Sequence, residues 1–120
     1  LLHCSVTSEL NLKSTVSIRV DVDGEVHHAT GSGNGGFDAF TYAMNEVMAS
    51  KNYVLPKLAD SAVRIPRRGH TNALTECVIT WDCDGQETKT RGVHSNQVFA
   101  SILAALRIIN LQLHERSSAQ

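Results

Sequence analysis

Three cysteines, two prolines and 5% aromatic residues are little for a 120-residue chain, and each shortage excludes something. Cys4, Cys77 and Cys83 are an odd number, and no pair has the C-x-x-C spacing. Neither a disulfide framework nor a zinc site is expected, which makes a reducing cytoplasm the expected compartment. Cys77 and Cys83 alternate with Ile79 and Trp81, as core thiols do, so none of the three is assigned a reactive role. An excess of one charge is also missing: 11 basic and 12 acidic residues leave a net charge of -1. With no field to gather polyanions, neither nucleic acid nor an anionic membrane is expected as a partner. The longest apolar run, Val98 to Leu106, is interrupted by Ser101 and is shorter than the ~18–20 residues a bilayer span needs. The chain opens Leu1-Leu2-His3, without an initiator Met or a signal-peptide pattern, so a piece of a longer protein is expected.

What is present is 42% hydrophobic and 19% charged residues, enough for one core in an ordinary globular chain. Residues 14 to 30 place Val16, Ile18, Val20 and Val22 on alternate positions with Ser17, Arg19 and Asp21 between them. That period of two is a half-buried strand, and Asp23-Gly24 supplies the positive φ angles of a tight hairpin turn. Residues 76 to 91 repeat the design with Cys77, Ile79, Trp81 and Cys83, then Asp84-Gly85. At one constant offset of 61 residues, Ile18 matches Ile79, Asp21 matches Asp82, Gly31 matches Gly92, Ala39 matches Ala100 and Ala43 matches Ala104. No gap is needed, and an internal duplication is the economical reading.

A helix is expected after each hairpin. Ala39, Phe40, Ala43, Met44, Val47 and Met48 form the first apolar stripe, with Asp38 in the first turn where a carboxylate suits the helix dipole. Val98, Phe99, Ile102, Leu103, Leu106 and Ile109 form the second, with Ser95 as the expected N-cap and a polar tail from His114 to Gln120. Extended segments precede each hairpin, near Leu2 to Ser8 and Asp60 to Pro66, and residues 48–53 with Leu55-Pro56 connect the halves. The expected fold is α+β: duplicated βββα units with pseudo-twofold symmetry, six strands and two helices. Repeat one is placed at about residues 1–50, repeat two at about 60–113, and the tail at 114–120.

The stretch Gly31-Ser32-Gly33-Asn34-Gly35-Gly36 holds four of the chain's eight glycines and satisfies G-x-G-x-x-G. A dinucleotide site would need a βαβ unit around it, whereas here the preceding strand belongs to an antiparallel hairpin. A strand-to-helix turn with positive φ is the plainer reading. The second repeat nevertheless turns the same corner with Gly92 alone, so close approach of a ligand or a partner chain to this backbone is expected. His27, His28, His70 and His94 lack metal-ligand spacing. Arg67-Arg68-Gly69-His70 reads as an exposed turn. No nucleophile elbow or paired-acid pattern occurs, and no catalysis is expected from this chain.

Several motifs together resemble one known family. They are Asp23-Gly24, Gly31 through Ala39, Leu55-Pro56-Lys57-Leu58, Thr71-Asn72-Ala73, Val78-Ile79-Thr80-Trp81, Thr90-Arg91-Gly92-Val93, and Asn96-Gln97 leading to Ala100-Ser101-Ile102 and Asn110. From about residue 12 to 112 the chain resembles the C-terminal regulatory domain of 2-isopropylmalate synthase and its sister citramalate synthase. The resemblance implies a duplicated βββα domain that forms a homodimer and binds a branched-chain amino acid for feedback inhibition. It also implies that a metal-dependent TIM barrel, which condenses acetyl-CoA with a 2-oxo acid, lies outside this chain, with its divalent metal; no cofactor is expected here. Carried over by position, the effector contacts are Gly33, Asn34, Gly35, Phe37, Asp38 and Ala39, followed by Leu58, Ser61, Ile65, Thr71 and Ala73. Backbone N–H groups at a helix N-terminus suit a carboxylate, Asp38 suits the ammonium, and Leu58 with Ile65 suits the side chain. Ser61 and Gly36-Phe37 stand where the family carries other residues, and the smaller Ser61 favours leucine over isoleucine. A purely structural dimerisation module and a stand-alone enzyme are the competing readings.

Overall fold

The computed structural model describes residues 3–8, 13–64 and 74–118. Six strands and two helices follow in the order β1 (His3–Thr7), β2 (Ser14–Val22), β3 (Glu25–Gly33), α1 (Gly36–Ser50), β4 (Lys57–Arg64), β5 (Thr75–Cys83), β6 (Gln86–His94) and α2 (Gln97–Ser118). The chain divides into two compact units, Leu1–Leu55 and Pro56–Gln120. Each is a βββα repeat, with antiparallel sheets in the orders β1-β2-β3 and β4-β5-β6. The α+β duplication expected from the sequence is therefore the architecture observed.

The two hairpins are built alike. Asp23 and Gly24 have φ of 53° and 84°, and Asp84 and Gly85 have 55° and 88°. Two positive φ angles in a two-residue loop give the turn whose twist matches the flanking strands. The carboxylate two residues before each turn completes it: Asp21 Oδ1 accepts from Gly24 N–H at 2.9 Å, and Asp82 Oδ1 from Gly85 N–H at 2.8 Å. The D-x-D-G motif shared by the repeats is thus a turn device, and each of its acids has a structural duty.

Each helix lies on the last two strands of its own unit, α1 on β2 and β3, and α2 on β5 and β6. Val16, Ile18, Val20 and Val22 are buried beneath α1 with Phe40, Met44, Val47 and Met48. The approach is closest at one glycine in each sheet. A Cβ at Gly31 would stand 2.4 Å from the Ala39 carbonyl oxygen, and one at Gly92 would stand 2.0 Å from that of Ala100. Ala43 and Ala104 close the other side of each contact. Gly31/Gly92, Ala39/Ala100 and Ala43/Ala104 match at the 61-residue offset because together they are this helix-to-strand seat.

The same seat corrects the expected stripe on α2. Ala100, Ile102, Ala104, Ala105, Ile108 and Ile109 are its buried residues, whereas Leu103 is exposed and Val98, Phe99 and Leu106 are half-buried. The helix backbone at Ala100 and Ala104 rests on Gly92, and Leu103, whose Cβ also borders that contact, stays largely exposed. The helix also continues to Ser118, so most of the expected polar tail is helical. No glycine or proline follows Asn110 to stop it, and Gln112 and Glu115 are good helix formers. Residues 97–115 are long and apolar enough in composition to cross a membrane, contrary to the expectation from run length. In the fold that helix packs on β5 and β6.

At the end of α1, Asn52 takes φ of 62°, its N–H donates to Ala49 O, and Tyr53 N–H donates to Met48 O. These bonds are those of a Schellman C-cap, with asparagine in the left-handed position. Residues 48–50, assigned to the connection from the sequence, are accordingly the last turn of the helix.

We predict that Gly92→Ala lowers stability by about 1–3 kcal/mol or more through overpacking against the helix backbone. Gly35→Ala, where a Cβ meets nothing within 4 Å, is expected to cost about 1 kcal/mol or less. Urea unfolding midpoints of the two variants check the difference.

Candidate functional site

The two corners between hairpin and helix are the natural comparison, because one fold is offered two chemistries. In unit 2, α2 is capped by Asn96, not by Ser95 as expected. Its Oδ1 accepts from the N–H groups of Val98 at 2.8 Å and Phe99 at 3.2 Å. Asn reaches donors two and three residues on, the geometry that satisfies first-turn N–H groups. The Asn96 N–H in turn donates to His94 Nδ1 at 2.9 Å, and the His94 ring lies 5.3 Å from that of Phe99. This corner is filled and satisfied by its own side chains.

In unit 1 the equivalents of His94, Asn96 and Phe99 are Gly33, Gly35 and Asp38. Gly35 is the N-cap residue, extended at φ -146°, and no side chain caps the helix. The first intrahelical bond runs from Ala39 N–H to Gly35 O, which leaves the preceding first-turn N–H groups without intrahelical acceptors. Asn34 and Asp38 are exposed there, and Phe37 is half-buried. A helix N-terminus with free N–H groups attracts a carboxylate, and the adjacent Asp38 carboxylate can hold an ammonium. One end of a free amino acid carries each charge.

The glycines divide into separate duties. None of Gly31, Gly33, Gly35 or Gly36 has positive φ, so the expected left-handed turn is not what requires them. A Cβ at Gly31 would strike Ala39 and Ala43, and one at Gly33 would come within 2.8 Å of Ala39 N and Asp38 Cβ. Close approach does demand these two residues, and the approaching group is the chain's own helix. Gly36 is buried at the start of α1. Gly35 alone faces open space.

The remaining carried-over residues lie in unit 2. Leu58 pairs with Trp81 and Ser61 with Ile79, with a bulge between Leu58 and Asp60. The bulge matters, because residues three apart on a regular strand point to opposite faces. Here both share the face of buried Trp81 and Ile79, at a strand that α2 does not cover, and both are exposed. Ile65, Thr71 and Ala73 lie outside the described residues, as does the Arg67-to-His70 turn. Leu58 and Ser61 are thus brought together in unit 2, and Gly33 to Ala39 in unit 1.

Sequence reasoning missed an open hollow of ≈ 390 Å³ in unit 1, lined by Lys13, Thr15, Thr30, Gly31, Ser32 and Tyr42. Only Gly31 and Ser32 carried a signal, as members of the glycine stretch. It also missed the polar relay under Trp81, whose indole N–H donates to Thr90 Oγ1 at 2.8 Å while that hydroxyl donates to Ala104 O at 2.7 Å. Unit 1 has Val20 and Ala29 at these places, so indole and hydroxyl appear together, as a buried N–H requires.

Among the described residues no group of three or more His, Cys, Asp or Glu side chains could hold a metal. His27 Nε2 is buried without a hydrogen-bond partner, 3.9 Å from Glu25 Oε1. Glu25 also binds Lys51 Nζ at 2.6 Å, joining the hairpin tip to the end of α1. The hydrogen bond from Lys51 and its charge, with His27 behind them, hold the Glu25 carboxyl below its usual range. Burial of Cys4 pushes its thiol upward, which makes that thiol less reactive.

A carboxyl with a lowered folded pKa stabilises the fold above its unfolded value of about 4.3, and that contribution is lost as pH falls through the folded value. Lys51→Met is therefore expected to lower stability at neutral pH. Its difference from the parent chain should shrink as pH falls below about 4, in thermal melts across the acid range.

The family described as the LeuA allosteric (dimerisation) domain matches residues 1–113. A 2-isopropylmalate synthase of Aquifex aeolicus (strain VF5) is 28% identical over 110 residues, 92% of this chain and 20% of that protein. A probable 2-isopropylmalate synthase of Methanopyrus kandleri is 34% identical over 104 residues, 80% of this chain and 19% of that protein. The chain spans about a fifth of the length of these relatives.

Proposed function

This chain belongs to the family of LeuA allosteric (dimerisation) domains, and from that premise we propose that it binds leucine for feedback inhibition of a 2-isopropylmalate synthase. Catalysis would reside in a separate barrel of the parent enzyme, with acetyl-CoA and a 2-oxo acid as its substrates and a divalent metal as its cofactor. The chain itself would act as a homodimer in the cytoplasm. Inhibition requires leucine to prefer one arrangement of the regulatory domain relative to that barrel, since equal affinity for both shifts nothing.

The observation that carries the effector reading is the difference between the two corners. Unit 2 satisfies its helix N-terminus with Asn96, whereas unit 1 has Gly35 at the same place and presents Asp38 beside it. In this reading the first-turn N–H groups of α1 hold the effector carboxylate and Asp38 holds its ammonium. Leu58 and Ser61, with Ile65, Thr71 and Ala73, are the further contacts implied by family position. Burying a leucine side chain would contribute about 1.5–3 kcal/mol. Isoleucine, the effector expected of a citramalate synthase, differs by the place of one methyl, a distinction worth about 1–3 kcal/mol.

Calorimetric titration with leucine, isoleucine and valine is the direct test. Heat with leucine is expected, isoleucine alone would reassign the parent enzyme, and silence with all three would sink the reading. Asp38→Ala is expected to weaken binding strongly, and unchanged affinity would place the ammonium partner elsewhere. Gly35→Asn gives a sharper outcome by copying the second repeat. It should stabilise the domain by about a few tenths of a kcal/mol through capping while weakening leucine binding.

One observation favours a second reading. Gly31 and Gly33 are both required by the approach of α1, so half of the glycine stretch needs no ligand to explain it. A domain that only dimerises would sediment as a dimer, and its melting temperature would not respond to any of the three amino acids.

A further inference from the structure

The hollow in unit 1 stands apart from the effector corner, since none of the effector contacts carried over from the family lines it. Its ≈ 390 Å³ falls within the roughly 300–1,000 Å³ of small-molecule sites. Along β2, Thr15 alternates with buried Ser14 and Val16, so it faces away from α1. Ser32 stands directly across from Thr15 on β3, and Thr30 lies two residues away on the same face. Lys13, two residues before Thr15, is exposed beside them. Three hydroxyls and one ammonium are thus gathered in one place. The hollow rounds the outer edge of β3 at Gly31 to reach Tyr42 of α1, which is 59% exposed.

This lining is rich in donors and carries one full charge. The described acids of unit 1 are Asp21, Asp23 and Glu25 at the hairpin tip and Asp38 and Glu46 on α1, and none of them lines the hollow. No ion pair among the described residues involves Lys13. The hydroxyls of Thr15, Thr30, Ser32 and Tyr42 make no hydrogen bond to another described residue. The backbone adds a further donor. Because the turn closes on Val22 and Glu25, antiparallel alternation makes Thr15 and Ser32 a non-hydrogen-bonded pair. The Ser32 N–H therefore points to the outer edge of β3, where no strand follows in the sheet.

Unit 2 shows the same place made self-sufficient. At the 61-residue offset Thr15 and Thr30 become Glu76 and Arg91, which pair with each other at 3.3 Å. Lys13 becomes Leu74 and Ser32 becomes Val93. Both repeats keep the glycine seat, so the helix-to-strand packing does not account for this difference. Unit 2 neutralises its own charge, whereas unit 1 gathers hydroxyls around a cation that has no counter-ion in its lining.

We propose that this hollow binds a phosphate group, free or carried on a small ligand, with Lys13 as counter-ion and Thr15, Thr30 and Ser32 as hydrogen-bond donors. Phosphate oxygens accept several hydrogen bonds at once, and those from an ammonium are the strong, charge-assisted kind. A cationic ligand would find no carboxylate here, and a neutral one would leave Lys13 unmatched. Tyr42, at the other end of the hollow, covers the uncharged part of a phosphate ester. The proposal does not rest on the effector reading.

The test is a chemical-shift titration of the ¹⁵N-labelled 120-residue chain with glycerol 3-phosphate and with inorganic phosphate, using glycerol as the neutral control. Saturable shifts are expected at the Gly31 and Ser32 amides with both phosphates, and the tighter of the two names the source. Lys13→Gln should weaken binding by about tenfold or more, as loss of a charged hydrogen-bond partner does. Lys89→Gln, an exposed lysine of unit 2, should change nothing. Failure of both phosphates to saturate, equal shifts with glycerol, or a folded Lys13→Gln variant that binds like the parent would overturn the proposal. So would leucine displacing the phosphate, since the hollow would then belong to the effector site. Phosphate binding without any heat from leucine sinks only the effector reading, and leucine heat without phosphate binding sinks only this one.

Discussion

The distance between a helix backbone and a strand backbone governs this molecule. At Gly31 and Gly92 a single methyl would collide with a carbonyl of the helix above. Everything near the contact follows from that closeness. The backbone at 39, 43, 100 and 104 lies against these glycines, which sets the rotation of each helix about its axis. In unit 2 the rotation buries Ala100, Ala104 and Ile108 and turns Leu103 to the surface. It also brings the Ala104 carbonyl within reach of Thr90, whose hydroxyl satisfies the indole of Trp81.

On that shared frame the two repeats have diverged where the seat does not constrain them. The hairpin-to-helix corner is the clearest place. His94, Asn96 and Phe99 close the corner of unit 2 with a hydrogen-bonded cap and a ring contact. Gly33, Gly35 and Asp38 at the same positions leave α1 without a side-chain cap and put a carboxylate at its first turn. The hairpin tips diverge in the same manner. Unit 1 has Glu25 bound to Lys51 and His27 beside them, where unit 2 has Gln86, Gln112 and Thr88. At these three matched positions one repeat carries ionisable side chains and the other carries none. A duplicated fold can divide its work this way, because each copy retains the packing that makes it stable while its rim remains free to change.

Much of this was legible in the sequence. Strict alternation in β2 and β5, the two Asp-Gly turns and the constant offset were enough to reach a duplicated βββα fold, because these signals are local in the chain. The first helix was read correctly at every buried position from Ala39 onward. The second was not, since Leu103 and Leu106 look like core residues until the Gly92–Ala100 contact fixes the helix rotation. Ser95 and Asn96 are both good cap residues, and only the path of the backbone selects Asn96. The joint placement of Leu58 and Ser61 was hidden for a related reason: a bulge has no sequence signature strong enough to reveal that residues three apart share a face.

The sequence by itself determined the repeat, the turns, the strand faces and the family, all of which depend on the identity and spacing of residues close along the chain. Only the tertiary structure decided what the glycines are for. Gly31 and Gly33 read as room for a ligand, yet the group that approaches them is α1, which follows them in the chain. Gly35 is the glycine that opens onto solvent. The reason is physical: glycine records only that something comes near the backbone, and what comes near is a matter of packing in three dimensions.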